Sequence, residues 1–300
     1  MSSGADRPPS GGREGPVIVT PSSLRGWPLP DVADSKYGRG QVLVVGGARR
    51  TPGGALLAGL AALRAGAGRL TLGVAESVAV ALAVAVPESG VRGLPENDAG
   101  SVHGAGVDRL ADDLGSADTV LVGAGLDDPD ETGALLRTLV PLLGEDTTLV
   151  LDAYALGVLV ELRDAVEPLR GRLVLTPNLA EAARLLEQDD VDDAARAAPE
   201  IARRYGAVVS CYGEIADPDG GRWQISTGYG GLATSGSGDV LAGAITGLLA
   251  RGASPAQAAC WGTHLHAAAG DRLAARVGPT GFLARELLDE LPVVLAELSA

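Results

Sequence analysis

Gln41-Val-Leu-Val-Val-Gly-Gly47, then Gly53 to Ala65, then Arg69-Leu-Thr-Leu-Gly-Val74 decide the fold class of this 300-residue chain. The first run is short, rich in β-branched residues and ends in two glycines, the pattern of a strand buried on both faces. The second sets Leu56, Leu57, Leu60 and Leu63 on one face at helical spacing. The third is another strand, and an Ala/Val-rich helix from Glu76 to Val86 follows it. A helix of that length between two strands makes a crossover, so the strands run parallel.

The alternation continues along the chain. Asp118 to Val122 runs into Gly123-Ala-Gly-Leu126, and a helix is predicted from Asp130 to Leu143. Thr148 to Leu151 ends in Asp152, with a helix after it, and Arg172 to Leu175 meets Thr176-Pro-Asn178 before a helix through Leu186. Ala207 to Cys211 is a further strand, and Asp217-Pro-Asp-Gly-Gly221 is the turn of a hairpin returning through Trp223 to Ser226. Helices over Gly238–Ala250, Pro255–Ala275 and Arg285–Leu298 finish the chain, which has no internal repeat. The expected fold is α/β: a mostly parallel central sheet with helices on both faces. Ligands in such sheets bind beyond the carboxyl ends of the strands, where this chain collects Gly46-Gly47, Gly123-Ala-Gly125, Asp152 and Thr176-Pro-Asn178.

Composition narrows the function. Apolar residues make up 46% and aromatics only 3%, so the core is Ala, Val and Leu. A net charge of −14, from 24 basic and 38 acidic residues, repels phosphate backbones and argues against a nucleic-acid partner. Two cysteines, Cys211 and Cys260, are too few for a disulfide framework or a zinc cluster. The first twenty residues lack the apolar core of a secretory signal. The longest apolar stretch, Val78 to Val86, falls far short of the ~20 residues of a membrane span. A cytoplasmic location is the expectation. Residues 1 to 16 read as a disordered arm, and 17 to 300 as a single catalytic domain. Lys36 is the only lysine, so a phosphate here is held by backbone amides, helix ends, arginine or metal.

The stretch that carries chemistry is Thr227-Gly-Tyr-Gly-Gly-Leu-Ala-Thr-Ser-Gly-Ser-Gly-Asp-Val-Leu-Ala-Gly243. It ends in an apolar helix whose first turn holds Gly236, Ser237, Gly238 and Asp239. Glycines at a helix start leave N–H groups bare and the helix dipole favours negative charge, which makes an anion cradle needing no lysine. Asp239 stands where a carboxylate takes a proton from a substrate hydroxyl, or where an acid simply caps a helix.

Gly-Ser-Gly-Asp followed by Val-Leu-Ala-Gly resembles the anion-hole motif of the ribokinase-like superfamily. Further segments narrow the match: Lys36-Tyr-Gly38, Thr51 to Gly59 with Arg64-Ala-Gly-Ala-Gly68, Gly123-Ala-Gly-Leu126, Leu151-Asp-Ala153, Leu175-Thr-Pro177 with Glu181, and Gly231 to Asp239. In this order, over residues 36 to 298, they resemble the ADP-dependent NAD(P)H-hydrate dehydratases. The resemblance implies a ribokinase-like three-layer sandwich and a repair lyase. Such an enzyme dehydrates hydrated NADH or NADPH at the expense of ADP or ATP with Mg²⁺, through phosphorylation of the ring hydroxyl and loss of phosphate. It implies Asp239 as the catalytic acid against the hydrated nicotinamide. It sets Gly238, with Gly236 and Ser237, at the nucleotide phosphates. Gly54 and Gly125 fall at or beside positions touching the hydrated dinucleotide. A magnesium ion bridging nucleotide phosphates would contact the protein lightly, so no metal ligands are assigned. The family habit and an Ala/Leu-rich terminal helix imply a homo-oligomer, a tetramer.

The chain departs from the family pattern at three points, one of them Thr227-Gly-Tyr-Gly230, where an Asn-containing version is commoner. Asn178 stands where a substrate-contacting histidine is usual, keeping hydrogen bonding and losing a titratable group. Val209-Ser-Cys-Tyr-Gly-Glu214 lacks the usual lysine at the adenine nucleotide. Two alternatives follow: a small-molecule hydroxyl kinase of the same superfamily, of thiamine-precursor type, or a non-catalytic nucleotide sensor. Among other polar residues, His264 and His266 lie roughly 200° apart around a helix, predicting one packed and one exposed. His103 reads as a surface residue, Asp152 as a metal-water or substrate contact or a helix cap, and Arg49 and Arg50 as loop cations near the cleft.

Overall fold

The computed structural model describes residues 15–31, 33–228 and 230–299. The arm expected over residues 1 to 16 lies outside them apart from Gly15 and Pro16. The chain enters through β1 (Val17–Val19) and α1 (Pro21–Arg25). It then alternates through β2 (Gln41–Val45), α2 (Pro52–Arg64), β3 (Arg69–Ala75), α3 (Glu76–Ala85), β4 (Ser89–Leu94), α4 (Ala111–Ser116), β5 (Thr119–Val122) and α5 (Pro129–Leu139). Next come β6 (Thr148–Leu151), α6 (Tyr154–Gly157), α7 (Arg163–Val166), β7 (Leu173–Leu175), α8 (Leu179–Leu186), α9 (Ala194–Tyr205) and β8 (Val208–Cys211). The hairpin of β9 (Glu214–Ala216) and β10 (Arg222–Ile225) leads to α10 (Ser237–Ala250), α11 (Pro255–Val277) and α12 (Ala284–Ser299).

Ten described strands form one sheet in the order β1-β10-β9-β8-β7-β6-β5-β2-β3-β4. Every pairing is parallel except those made by β9. From β2 the chain winds outward through β3 and β4, then returns to lay β5 on the other side of β2 (Val42↔Leu70 and Val42↔Thr119). That reversal is the topological switch point, and in sheets of this kind ligands bind there, beyond the carboxyl ends of the strands.

Side chains alternate across the sheet. Val42 and Val44 of β2 enter one core with Leu72, Leu121 and Val150, beneath α2, α10, α11 and α12. Leu43 and Val45 enter the other with Val120, Val122 and Leu151, beneath α5, α8 and α9. The result is three layers with an apolar core on each face of the sheet.

Two expectations need correction. On α2 the leucine face is only half-buried; Ala55, Ala58, Gly59, Ala61 and Ala62 are the buried residues. The reason is a close crossing with α10: a Cβ on Gly243 would lie 2.1 Å from the Ala58 carbonyl oxygen, and one on Gly247 2.3 Å from that of Ala62. Only small residues on both helices allow this approach, so the leucines are turned aside. The histidines of α11 are both buried, His264 at 2% and His266 at 6% exposure. This helix packs on β8 to β10 as well as on α10 and α12, so it has no solvent face along its first half. The helix predicted after Asp152 is broken into short helical turns over residues 154–169, and β1, β4, α1, α4 and α9 are elements the sequence reading did not place.

Candidate active site

The loops that leave β2, β3 and β5 are tied to one another at the carboxyl ends of the strands. Gly47 N–H donates to the Ala124 carbonyl (2.9 Å), Ala48 N–H to that of Gly125 (2.8 Å), and Ala75 N–H to that of Gly47 (3.1 Å). The Thr51 hydroxyl donates to the Gly125 carbonyl at 2.8 Å, so it does not cap α2. A Cβ on Gly54 would lie 2.7 Å from Gly125 N, so the structure brings together these two residues expected at the dinucleotide. Their lack of side chains serves the loop crossing itself, whatever they touch in addition.

The register Ala58–Gly243 and Ala62–Gly247 means that α2 and α10 run in the same direction. Both helices therefore begin at the carboxyl end of the sheet. α10 starts at Gly236, in the left-handed region (φ +88°), with no side-chain cap. Ser237 N–H donates to the Thr234 carbonyl and Val240 N–H to that of Gly236. Gly238 N–H and Asp239 N–H meet no acceptor among the described residues. A Cβ on Gly238 would meet nothing within 4 Å, and the residue is exposed. These bare donors stand at the positive end of a 14-residue helix, a place where negative charge is favoured. Behind them the Ser237 hydroxyl is bonded to His266 Nε2 at 2.9 Å. Burial pushes the His266 imidazole down to about 4, so it is neutral at physiological pH.

Asp239 sits in the first turn of α10, half-buried. Burial pushes its carboxyl up to about 7, and the charge of Asp152 adds to the rise. Asp152, at the end of β6, is almost fully buried and accepts a hydrogen bond from the Thr176 hydroxyl at 2.8 Å. Burial raises it to about 6, against the effect of that bond and of the Ala153 N–H. The next residue, Ala153, holds φ +50°, ψ −120°, a conformation L residues rarely adopt; backbone strain of this kind gathers at functional sites. Glu181 is the third acid. Burial pushes it up to about 7, Asp152 again contributing. Carboxyls near 7 exchange protons readily at neutral pH, the condition for general acid–base work.

Asn178 is exposed at the start of α8 in a capping box: its Oδ1 accepts from Glu181 N–H and Glu181 Oε2 accepts from Asn178 N–H, both at 2.9 Å. Its amide nitrogen makes no hydrogen bond among the described residues and is left as a donor. Arg49 is ion-paired with Glu96 at 2.7 Å. His103 is exposed, as expected. Cys211 is buried and its thiol is pushed up to about 12, so it packs and does not react. Trp27 and Trp223 stack at 6.2 Å in the core. Sequence reasoning named Asp152 as a metal-water or substrate contact or a helix cap, gave Glu181 no role of its own, and did not foresee the link between Ser237 and His266. Their signals, an acid three residues after a helix cap and an acid closing a strand, are shared by many purely structural residues.

No group of three or more His, Cys, Asp or Glu among the described residues is arranged to hold a metal ion. A magnesium ion carried by nucleotide phosphates still fits, because cleft carboxylates such as Asp152 and Glu181 favour a cation through its waters. No helix among the described residues is long and apolar enough to cross a membrane.

A sequence model of the family described as NAD(P)H-hydrate dehydratase matches residues 42–293. The chain is 43% identical to an ADP-dependent (S)-NAD(P)H-hydrate dehydratase of Xanthomonas campestris pv. campestris, over 93% of this chain and 96% of the relative. It spans about half the length of bifunctional NAD(P)H-hydrate repair enzymes that it also matches. It is similar to the ADP/ATP-dependent NAD(P)H-hydrate dehydratase of Bacillus subtilis co-crystallized with ATP/Mg²⁺: TM-score 0.76, 27% identity, 95% of this chain and 99% of that one. A ribokinase-like superfamily protein of Enterococcus faecalis, 23% identical, superposes with a TM-score of 0.80 over 95% of this chain and 97% of its own. The fold is ribokinase-like.

Proposed function

The chain belongs to the NAD(P)H-hydrate dehydratase family, and from that premise we propose that it uses ADP or ATP to dehydrate hydrated NADH or NADPH back to the reduced nucleotide. The reading is carried by one observation: bare N–H groups at Gly238 and Asp239, beside a carboxyl poised near 7. Asp239 in its ionised form takes the proton of the ring hydroxyl as the oxygen attacks the terminal phosphoryl of the adenine nucleotide, whose bond to the bridging oxygen breaks to release AMP from ADP, or ADP from ATP. The N–H groups of the α10 start, with Gly236 and Ser237 shaping the turn, hold the phosphoryl oxygens as charge builds on them. The C–O bond then breaks, phosphate departs and the ring loses a proton to restore its double bond. A Mg²⁺ ion bound with the nucleotide would supply neutralisation of phosphate charge, and Asp152 or Glu181 are the residues that would hold it through its waters.

Gly54 and Gly125 let the dinucleotide approach the backbone at the switch point, and the Asn178 amide stands as a hydrogen-bond donor at its edge. Asp152 keeps negative charge beside Asp239 and so holds it basic enough to serve. The catalytic domain runs from residue 17 to 300. The chain acts in the cytoplasm as a homo-oligomer, a tetramer, to which the exposed Val80 and Val84 of α3 offer apolar surface.

Incubating the protein with chemically hydrated NADH, Mg²⁺ and either ADP or ATP tests this directly. Recovery of the reduced-nicotinamide absorbance is expected; no recovery with either nucleotide overturns it. A phosphorylated product that accumulates without elimination would assign the chain to the kinases of the superfamily.

A further inference from the structure

At the opposite end of the sheet lies a cavity of about 510 Å³ that the reaction does not use. Two separate segments build it. Arg163 of α7 and Arg170 come from the stretch entering β7, and Arg203 and Arg204 from the last turn of α9, which leads into β8. β7 and β8 are parallel neighbours, and Gly171 N–H donates to the Gly206 carbonyl at 2.9 Å, tying the two segments together at the amino ends of the strands. Asp239, beside Asp152 at a carboxyl end, is on the other side of the molecule.

Arg204 is ion-paired with Glu187 and lies over the ring of Tyr205, while its Nε is buried without a partner. Arg163, Arg170 and Arg203 make no ion pair or hydrogen bond among the described residues. The carboxylates of Asp164 and Glu167 line the same cavity yet pair with none of them. Basic residues in a last helical turn complement the helix dipole, which accounts for Arg203 and Arg204. It does not account for Arg163 and Arg170, which approach from another element. In a chain of net charge −14, four arginines from two segments line one cavity, three of them exposed to solvent and without an ion pair among the described residues. We infer that this cavity is a second anion site, which takes a small molecule carrying a phosphoryl dianion. Guanidinium groups grip such oxygens in pairs, and the volume is that of a small-molecule site. The chemistry is the same for free phosphates and for nucleoside phosphates.

Calorimetric titration of the full chain with pyrophosphate and with AMP, at fixed ionic strength, tests the site. Two saturable events are expected for at least one of the probes. Arg163→Gln and Arg203→Gln, on different segments, should each weaken one event by about tenfold, the usual worth of a charge-assisted hydrogen bond. Neither should alter turnover. Asp239→Asn should leave that event in place, which keeps this test separate from the fate of the catalytic reading. Binding of both probes makes the phosphoryl group sufficient, and binding of AMP alone adds the nucleoside to the recognition. Isotherms unchanged in both arginine variants, or binding that chloride abolishes equally in all forms, would overturn the inference.

Discussion

Replacing Asp239 by Asn should lower turnover and raise stability together, because the same environment does both. Folding moves this carboxyl from its ordinary 3.8 to about 7, chiefly by burial and next by the charge of Asp152. The folded chain thus binds this proton more tightly than the unfolded chain. The stability linked to the group is fully present below pH ~4 and is lost as pH rises through 7. Asn stays neutral and escapes the loss. At 1.36 kcal/mol per unit, and discounted for the group's partial exposure to solvent, the gain grows to about 1–2 kcal/mol between pH 5 and pH 8. That is a few degrees in Tm. Loss of the base should lower turnover by about 10²–10⁴. Thermal denaturation at pH 5 and pH 8, beside the nicotinamide absorbance assay, reads both effects. In the parent protein the rate should fall about tenfold per unit below pH 7 as the carboxylate is protonated. A variant with near-normal turnover would make Asp239 a helix-capping acid only. A variant no more stable at pH 8 than the parent would refute the link between burial and basicity.

Three further outcomes follow from the same geometry. Asp152→Asn removes a charge that raises Asp239, so the acid limb of the rate profile should move to lower pH; a limb that stays in place contradicts the coupling. Gly238→Ala meets open space, so it should leave Tm within about 1 kcal/mol equivalent of the parent while raising KM for the adenine nucleotide. Equal KM would remove Gly238 from the cradle. Gly243→Ala puts a Cβ 2.1 Å from a carbonyl oxygen of α2 and should cost about 1–3 kcal/mol or more by denaturant unfolding; a neutral substitution would mean the two helices are not held this close.

How much of this was legible in the sequence follows from how local each signal is. β2, β3, β5, β6, β7 and β8 were legible because strands buried on both faces need short apolar runs, and each ends where a glycine or polar residue begins. β4 escaped because it lies at the sheet edge and reads Ser89-Gly-Val-Arg-Gly-Leu94, with no run and no strict alternation. α9 was missed although Asp193 caps it and Ala197, Ala198, Ile201, Ala202 and Tyr205 mark its buried face. Its arginines and Pro199 masked the period. On α2 the leucine spacing was correct and the inference of a buried face was not, because Gly243 and Gly247, far along the chain on α10, set which side packs. The start of α10 was legible because glycine, helix dipole and acid lie within four residues. The pairing of Asp152 with Asp239, and the burial of both α11 histidines, arise from tertiary packing and leave no local mark.

The central claim is that the adenine nucleotide lays its phosphates on the start of α10, beside Asp239. A crystal structure of the protein with ADP and Mg²⁺ measures this directly. The account predicts phosphate oxygens within hydrogen-bond distance of Gly238 N and Asp239 N, with the Asp239 carboxyl facing the same cleft. Phosphates bound elsewhere, with those two N–H groups left to solvent, would contradict it.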